Sequence, residues 1–227
     1  IDGDSVRLHQ DLRDTKGDWF YWAFRVKGAE GRTLTFNFTR GMAVGSRGAA
    51  VSVDRGTTWI WSDEVMPDPR EPATGDHASA HRFTWKFAPD AQEVWFSQTI
   101  PYMQNDWETF VSRHQVDFST NTLCRSRKGR AVETGRFGRI DGRAKYAMLL
   151  TSRHHSGEAA ATFVLEGILE SVFADDSLGR WMRGNIEIRA VPFVDKGGVV
   201  DGDLRLVDDL LGLFLKGGVE HGDIVLG

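Results

Sequence analysis

Apolar and polar positions alternate in several short runs of the first half of the chain. In Thr33–Phe38, Leu34, Phe36 and Phe38 fall on one side of an extended backbone, while Thr33, Thr35 and Asn37 fall on the other. That period of two is the pattern of a strand with one buried face. Residues 19–26, 50–53, 82–87 and 93–96 are likewise aromatic or β-branched and are bounded by Gly, Asp and Pro, which predicts further strands separated by turns. Between Val53 and Trp59, Asp54-Arg55-Gly56 supplies residues that accept turn conformations, so a hairpin is expected there. Residues 67–80 contain Pro67, Pro69 and Pro72 and few large apolar side chains, the composition of a loop.

The pattern changes after about residue 113. Residues 145–150, Lys-Tyr-Ala-Met-Leu-Leu, form a nearly continuous apolar run, as expected for an inner strand buried on both faces. From 158 to 173, Ala161, Val164, Leu165, Ile168, Leu169 and Val172 recur at the spacing of one helix face, with Gly167 as the weak point. Residues 185–191 alternate again and read as a strand. Strand, helix and strand in this order predict a parallel βαβ unit with a right-handed crossover. The expected architecture is therefore a two-domain α+β chain, with an antiparallel β-sandwich over residues 1–112 and an α/β domain over 113–227.

Composition narrows the function classes. The chain has 227 residues, 41% of them hydrophobic, a formal net charge of -4 and a pI near 6.0. That supports real cores and argues against a general nucleic-acid binder, whose affinity rests on clustered Lys and Arg. The single cysteine, Cys124, forms no internal disulfide, which fits a reducing, cytoplasmic location. No apolar run reaches the roughly 18 residues of a membrane span, so no membrane partner is expected, and the first residues lack the pattern of a signal peptide.

The candidate chemistry lies in Thr151-Ser-Arg-His-His-Ser-Gly-Glu158, between the apolar strand and the helix. Ligand-binding groups of open α/β sheets sit at this position, beyond the carboxyl end of a strand. His155 and Glu158 are three residues apart, an offset that lets an imidazole and a carboxylate converge on one metal ion. Taken from pattern alone, a solvated loop histidine beside a glutamate in the first helical turn is an equally good reading.

The run from Ser152 through Glu158 and on to the Glu166-Gly167 pair is similar to the zinc-binding stretch of the zinc carboxypeptidases, in their cytosolic-carboxypeptidase-like branch. There the pattern is Arg-x-His-Pro-Gly-Glu followed by a helix with Glu-Gly near its middle, and Ser156 stands where the family has Pro. Residues 188–203, with Val191-Pro192 and Gly198-Val199, resemble the family's Val-Pro-x-x-Asn-Pro-Asp-Gly-Val strand and loop. Residues 123–132 resemble the hairpin that opens the catalytic domain. The aromatic first half, with Trp19-Phe-Tyr-Trp22 and Pro101-Tyr102, resembles the sandwich that precedes catalysis in this branch.

The resemblance implies a carboxypeptidase-like (phosphorylase/hydrolase-like) α/β domain, a zinc ion held by His155 and Glu158, and a peptide or protein carboxy-terminus as substrate. Arg153 and Ser156 would shape the loop. The family's Asn-Arg pair for the substrate carboxylate, its third zinc-ligating histidine and its general-base glutamate find no counterpart, so the α/β domain reads as truncated. After the Asp-Gly motif comes an amphipathic run, residues 204–215, and the last histidine, His221, lies in surroundings unlike those of the family's third ligand. A short α/β part leaves a sheet edge or apolar face uncovered, which makes a homo-oligomer an expectation. The basic run 125–130 reads as a solvated hairpin turn, and His77, His81 and His114 as surface residues. The alternative function is a non-catalytic module whose sandwich binds a peptide or glycan beside a remnant peptidase domain.

Overall fold

The computed structural model describes residues 3–9, 21–39, 44–45, 47–62, 65–67, 80–114, 119–203 and 223–225. The chain divides into two compact units, Ile1–Ile100 with Leu206–Gly227, and Pro101–Arg205. The expected loop between Pro67 and Ala80, Trp19 in the first aromatic run, the amphipathic run at 204–215, His77 and His221 lie outside the described residues.

The first unit is built from strands β1 (Ser5–Leu8), β2 (Ala23–Lys27), β3 (Thr33–Phe38), β4 (Ala50–Ser52), β5 (Ile60–Trp61), β6 (Val65–Pro67), β7 (Ala80–Lys86) and β8 (Glu93–Ser97). One sheet has the order β1-β3-β7-β6, and the other has β2, β8, β4 and β5 in succession. The alternation read in Thr33–Phe38 is borne out, since Leu34, Phe36 and Phe38 are at most 2% exposed. Phe36 and Phe83 from one sheet meet Phe24 and Phe96 from the other at ring separations of 5.1–5.6 Å. Aromatic pairs at such distances add to the area they bury, so these four rings tie the two layers together.

The sheets are not wholly antiparallel. β1 runs parallel to β3, and β13 (Asp223–Val225), from the far end of the chain, runs parallel to β2. A period-two pattern reports which face is buried and carries no information on strand direction. The expected hairpin is present, with β4 antiparallel to β5. Its turn is held by Asp54, which accepts from the Ser52 and Thr58 hydroxyls and the Thr58 amide at 2.6–2.8 Å.

Those bonds, led by the one from the Thr58 hydroxyl, bring the Asp54 carboxyl down to about 2 from its ordinary 3.8. A depressed folded value means that the turn's contribution is present above the ordinary value and lost as pH falls through about 2. An NMR titration of the Asp54 side-chain carbon is expected to give a midpoint near 2. An ordinary midpoint would show that the turn is not held this way.

The second unit contains α1 (Gln104–Arg113), β9 (Ser119–Arg125), β10 (Ala131–Gly138), β11 (Tyr146–Thr151), α2 (Ala159–Phe173), α3 (Ser177–Asn185), β12 (Ile186–Val191) and α4 (Lys196–Asp203). Its sheet has the order β11-β12-β10-β9. The hairpin expected around residues 123–132 is β9 and β10, and the basic run forms its exposed turn. The βαβ reading is matched by the parallel pair β11 and β12, although two helices rather than one connect them.

Three expectations are corrected here. β11 is not buried on both faces: Tyr146, Met148 and Leu149 are 57%, 37% and 69% exposed. It stands at the edge of the sheet, because no described strand pairs with its outer side. The buried stripe of α2 is Ala159, Thr162, Leu165, Leu169 and Val172, so Val164 and Ile168, read as core, face outward. His114 is not a surface residue. Its ring stacks on Phe173 at 4.1 Å and its Nε2 lies 3.2 Å from Glu170, because the end of α1 packs on α2.

Candidate metal centre

The turn between β11 and α2 is tied to the loop after β12 by main-chain bonds that prolong the parallel pairing. Ser152 N–H donates to the Val191 carbonyl, Val194 N–H to that of Ser152, and Asp195 N–H to that of Arg153, at 2.8–3.1 Å. Beneath them the buried Ser152 hydroxyl donates to the Pro192 carbonyl at 2.6 Å and lies 3.3 Å from the Thr162 hydroxyl. Polar groups this deep are rigid when satisfied, so the base of the turn is a fixed platform.

Arg153 is 1% exposed and has a positive φ of 54°. Its guanidinium donates to the Tyr102 carbonyl at 3.0 Å and lies over the Phe193 ring. The left-handed backbone at a bulky residue turns the chain sharply, and the buried side chain holds that strained conformation in place. The following residues, His154 and His155, thereby emerge into solvent.

Lys196 secures the partner loop. Its ammonium, over the Phe193 ring at 4.9 Å, binds Gln104 of α1 and lies 3.1 Å from Glu133 of β10. Gly198 allows that loop to close against the turn. A Cβ there would come within 2.8 Å of the Ser156 side chain and 2.3 Å of an Asp195 carboxylate oxygen.

On this platform the two expected ligands meet. His155 Nδ1 lies 2.9 Å from Glu158 Oε1, and the His155 amide donates to Glu158 Oε2 at 3.2 Å. Both side chains are accessible, 66% and 41% exposed. Glu158 is the N-cap of α2, one position earlier than a first-turn glutamate. The bonds from the His155 ring and amide, helped by the charges of His155 and His154, hold its carboxyl below the usual range. A nitrogen and an ionised oxygen side by side at the carboxyl end of a parallel strand fit a divalent ion of the zinc type as two of its ligands. Among the described residues, no group of three or more His, Cys, Asp or Glu is placed to hold a metal ion.

Lys196, Gln104 and Glu133 escape a reading of the sequence, because they lie 92 and 63 residues apart along the chain and share no motif. His81 stands on β7, and His114 stands at the end of α1 against Phe173 and Glu170.

No protein-family model matches the chain. It is 24% identical over 228 residues to cytosolic carboxypeptidase 2 of Xenopus tropicalis, covering 88% of this chain and 23% of that protein. To the cytosolic carboxypeptidase 2 of Danio rerio it is 25% identical over 225 residues, covering 88% of this chain and 31% of the other. Among solved structures, the metallo-carboxypeptidase of Burkholderia cenocepacia superposes with a TM-score of 0.69 at 21% identity, over 88% of this chain and 53% of that one. The chain is related to the zinc carboxypeptidases. It spans less than a third of these curated relatives and about half of the solved structure. At this identity the superposition speaks for a carboxypeptidase fold in the mixed sheets and helices, and the activity has to be argued from the site.

Proposed function

We propose that this relative of the zinc carboxypeptidases is a zinc-dependent metallocarboxypeptidase, cytoplasmic, acting on the free carboxy-terminus of a peptide or protein. The observation that carries the reading is the 2.9 Å approach of His155 Nδ1 to Glu158 Oε1 on an exposed turn at the end of a parallel strand. In this reading His155 and Glu158 are two of the metal's protein ligands. Bound there, zinc supplies Lewis-acid activation of a peptide carbonyl and of water.

The chain's own residues prepare that role. The bonds from the His155 ring and amide hold the Glu158 carboxyl below its ordinary range, so it stands as the carboxylate that a metal ligand must be. Arg153, Ser152 and Lys196 keep the turn and its neighbouring loop in register, so the two ligands approach an ion without reordering the backbone. Ordering of this kind behind a metal ligand commonly contributes about 10–100-fold in affinity.

Metal analysis of the purified chain tests the reading. We expect zinc to bind at about one equivalent, to be removed by a chelator, and to be lost in His155→Ala, whose melting curve should match that of the chelator-treated native chain, since the ring is largely exposed. Equal zinc in the variant would end the assignment. A second reading is a non-catalytic peptide- or glycan-binding module with a remnant peptidase domain. Stoichiometric zinc without hydrolysis of any peptide in a carboxy-terminal panel would decide for it.

A further inference from the structure

Tyr102 joins the segments that meet behind the metal turn. Its carbonyl accepts the Arg153 guanidinium at 3.0 Å, which anchors the turn itself. Its ring stands edge-on to Phe163 of α2 at 4.9 Å and lies 6.2 Å from Phe193 in the loop after β12. Its hydroxyl donates to Glu166 of α2 at 2.5 Å. The residue is 1% exposed, and burial, followed by the bond to Glu166, pushes the hydroxyl far above the ordinary tyrosine value. The phenol therefore keeps its proton and is the donor of this pair at neutral pH.

Glu158 is the N-cap of α2, so its place opposite His155 depends on where that helix stands along and about its own axis. The buried stripe of Leu165, Leu169 and Val172 draws α2 into the core of the unit. Apolar burial is non-directional, so the stripe sets closeness and opposes sliding or rolling only weakly. Hydrogen bonds, which are directional, oppose both. Near the start of the helix the Thr162 hydroxyl lies 3.3 Å from that of Ser152 and 3.5 Å from the Pro192 carbonyl, long contacts for such groups. The short tie is at Glu166, whose two oxygens are divided between the Tyr102 hydroxyl and, at 3.0 Å, the Arg113 guanidinium of α1. Arg113 is 54% exposed, and an ion pair in solvent constrains little. Glu166 follows Glu158 by roughly two helical turns, about 12 Å of rigid backbone.

Tyr102 thus holds the segment bearing His155 with its carbonyl and the helix bearing Glu158 with its hydroxyl. We infer that Tyr102 is a positioning residue of the metal centre: its hydroxyl, bound to Glu166, fixes α2 along its axis and thereby sets the approach of Glu158 to His155. The metal's part in this rests on the proposed function, whereas the approach of the two side chains does not.

Tyr102→Phe removes the hydroxyl and leaves the carbonyl on Arg153. In the metal-free variant the NMR resonance of His155 Nδ1, which lies 2.9 Å from Glu158 in the native chain, should move toward that of a free imidazole. Zinc affinity should fall about 10-fold, as expected when the ordering behind a metal ligand is lost. Glu166→Gln still offers an oxygen to the hydroxyl and should keep the native resonance and affinity. Glu166→Leu should lose both, and adding Tyr102→Phe to it should cost nothing further. Val172→Ala separates positioning from plain stability, because Val172 is fully buried in the last turn of α2, far from Glu158. That variant should melt lower with the His155 resonance and zinc affinity native. An unmoved His155 resonance in Tyr102→Phe, or an equal movement in Val172→Ala, would overturn the inference. If the native chain takes up no zinc, the proposed function fails, and the resonance of metal-free Tyr102→Phe still decides the role of Tyr102.

Discussion

Gly138→Ala is expected to unfold the second unit at temperatures where the native chain is intact. Gly138 ends β10 with a φ of 74°, and a Cβ at this position would stand 2.3 Å from the Ile186 carbonyl oxygen. That oxygen accepts the Arg139 amide at 2.7 Å, so it cannot retreat without breaking the seam between β10 and β12. The left-handed conformation alone costs an alanine about 1 kcal/mol, and separation of the two strands raises the total to roughly 3–5 kcal/mol. For a unit of about this size that corresponds to a fall of roughly 15–25 °C in Tm. Gly142→Ala is the matched control, since Gly142 has a similar φ of 80° with nothing within 4 Å of the added carbon. It should pay the conformational cost alone. Equal melting temperatures for the two variants would show that the close approach to Ile186 is not real.

Arg153→Ala is the second large effect. The side chain is among the largest that are fully buried, and its removal empties that volume while taking a donor from the Tyr102 carbonyl. Loss of a buried charged group with its hydrogen bonds falls in the range of roughly 3–5 kcal/mol. The effect should also reach the metal centre. With the guanidinium gone, the positive φ at residue 153 is held by main-chain bonds alone, and the turn bearing His155 and Glu158 loses its buried side-chain anchor. Zinc affinity should fall by about 10-fold or more in protein that remains folded. Arg153→Lys keeps the charge without the planar fork and should lie between the two. A native melting curve together with native zinc affinity in Arg153→Ala would show that the buried arginine is not what orders the turn.

These two residues mark the limit of what could be read before the fold was known. Leu34, Phe36 and Phe38 were legible as a buried face because a strand's alternation depends on nothing beyond the strand. His155 and Glu158 were legible as a pair because three residues of a tight turn bring them together locally. The apolar run at 145–150 was misjudged for the opposite reason. Its composition records a tendency to be covered, but covering requires a neighbour, and among the described strands β11 has one on a single side. The face of α2 was rotated in the reading because apolar residues encircle much of that helix. Only the packing selected Leu165, Leu169 and Val172 over Val164 and Ile168. The helix at Gln104–Arg113 went unread, since its aromatic residues blended with those of the preceding strands.

By itself, the order of side chains determined the strand-rich first half, the parallel strand-helix-strand unit and the local meeting of an imidazole with a carboxylate. Each of these is governed by interactions within a few residues or by a periodicity of the backbone. The tertiary structure alone decided that Arg153 is buried against Tyr102, that Lys196 reaches Gln104 and Glu133, and that β12 is the one neighbour of β11 among the described strands. Those outcomes depend on contacts spanning tens of residues, and no local pattern encodes which distant group will be the partner.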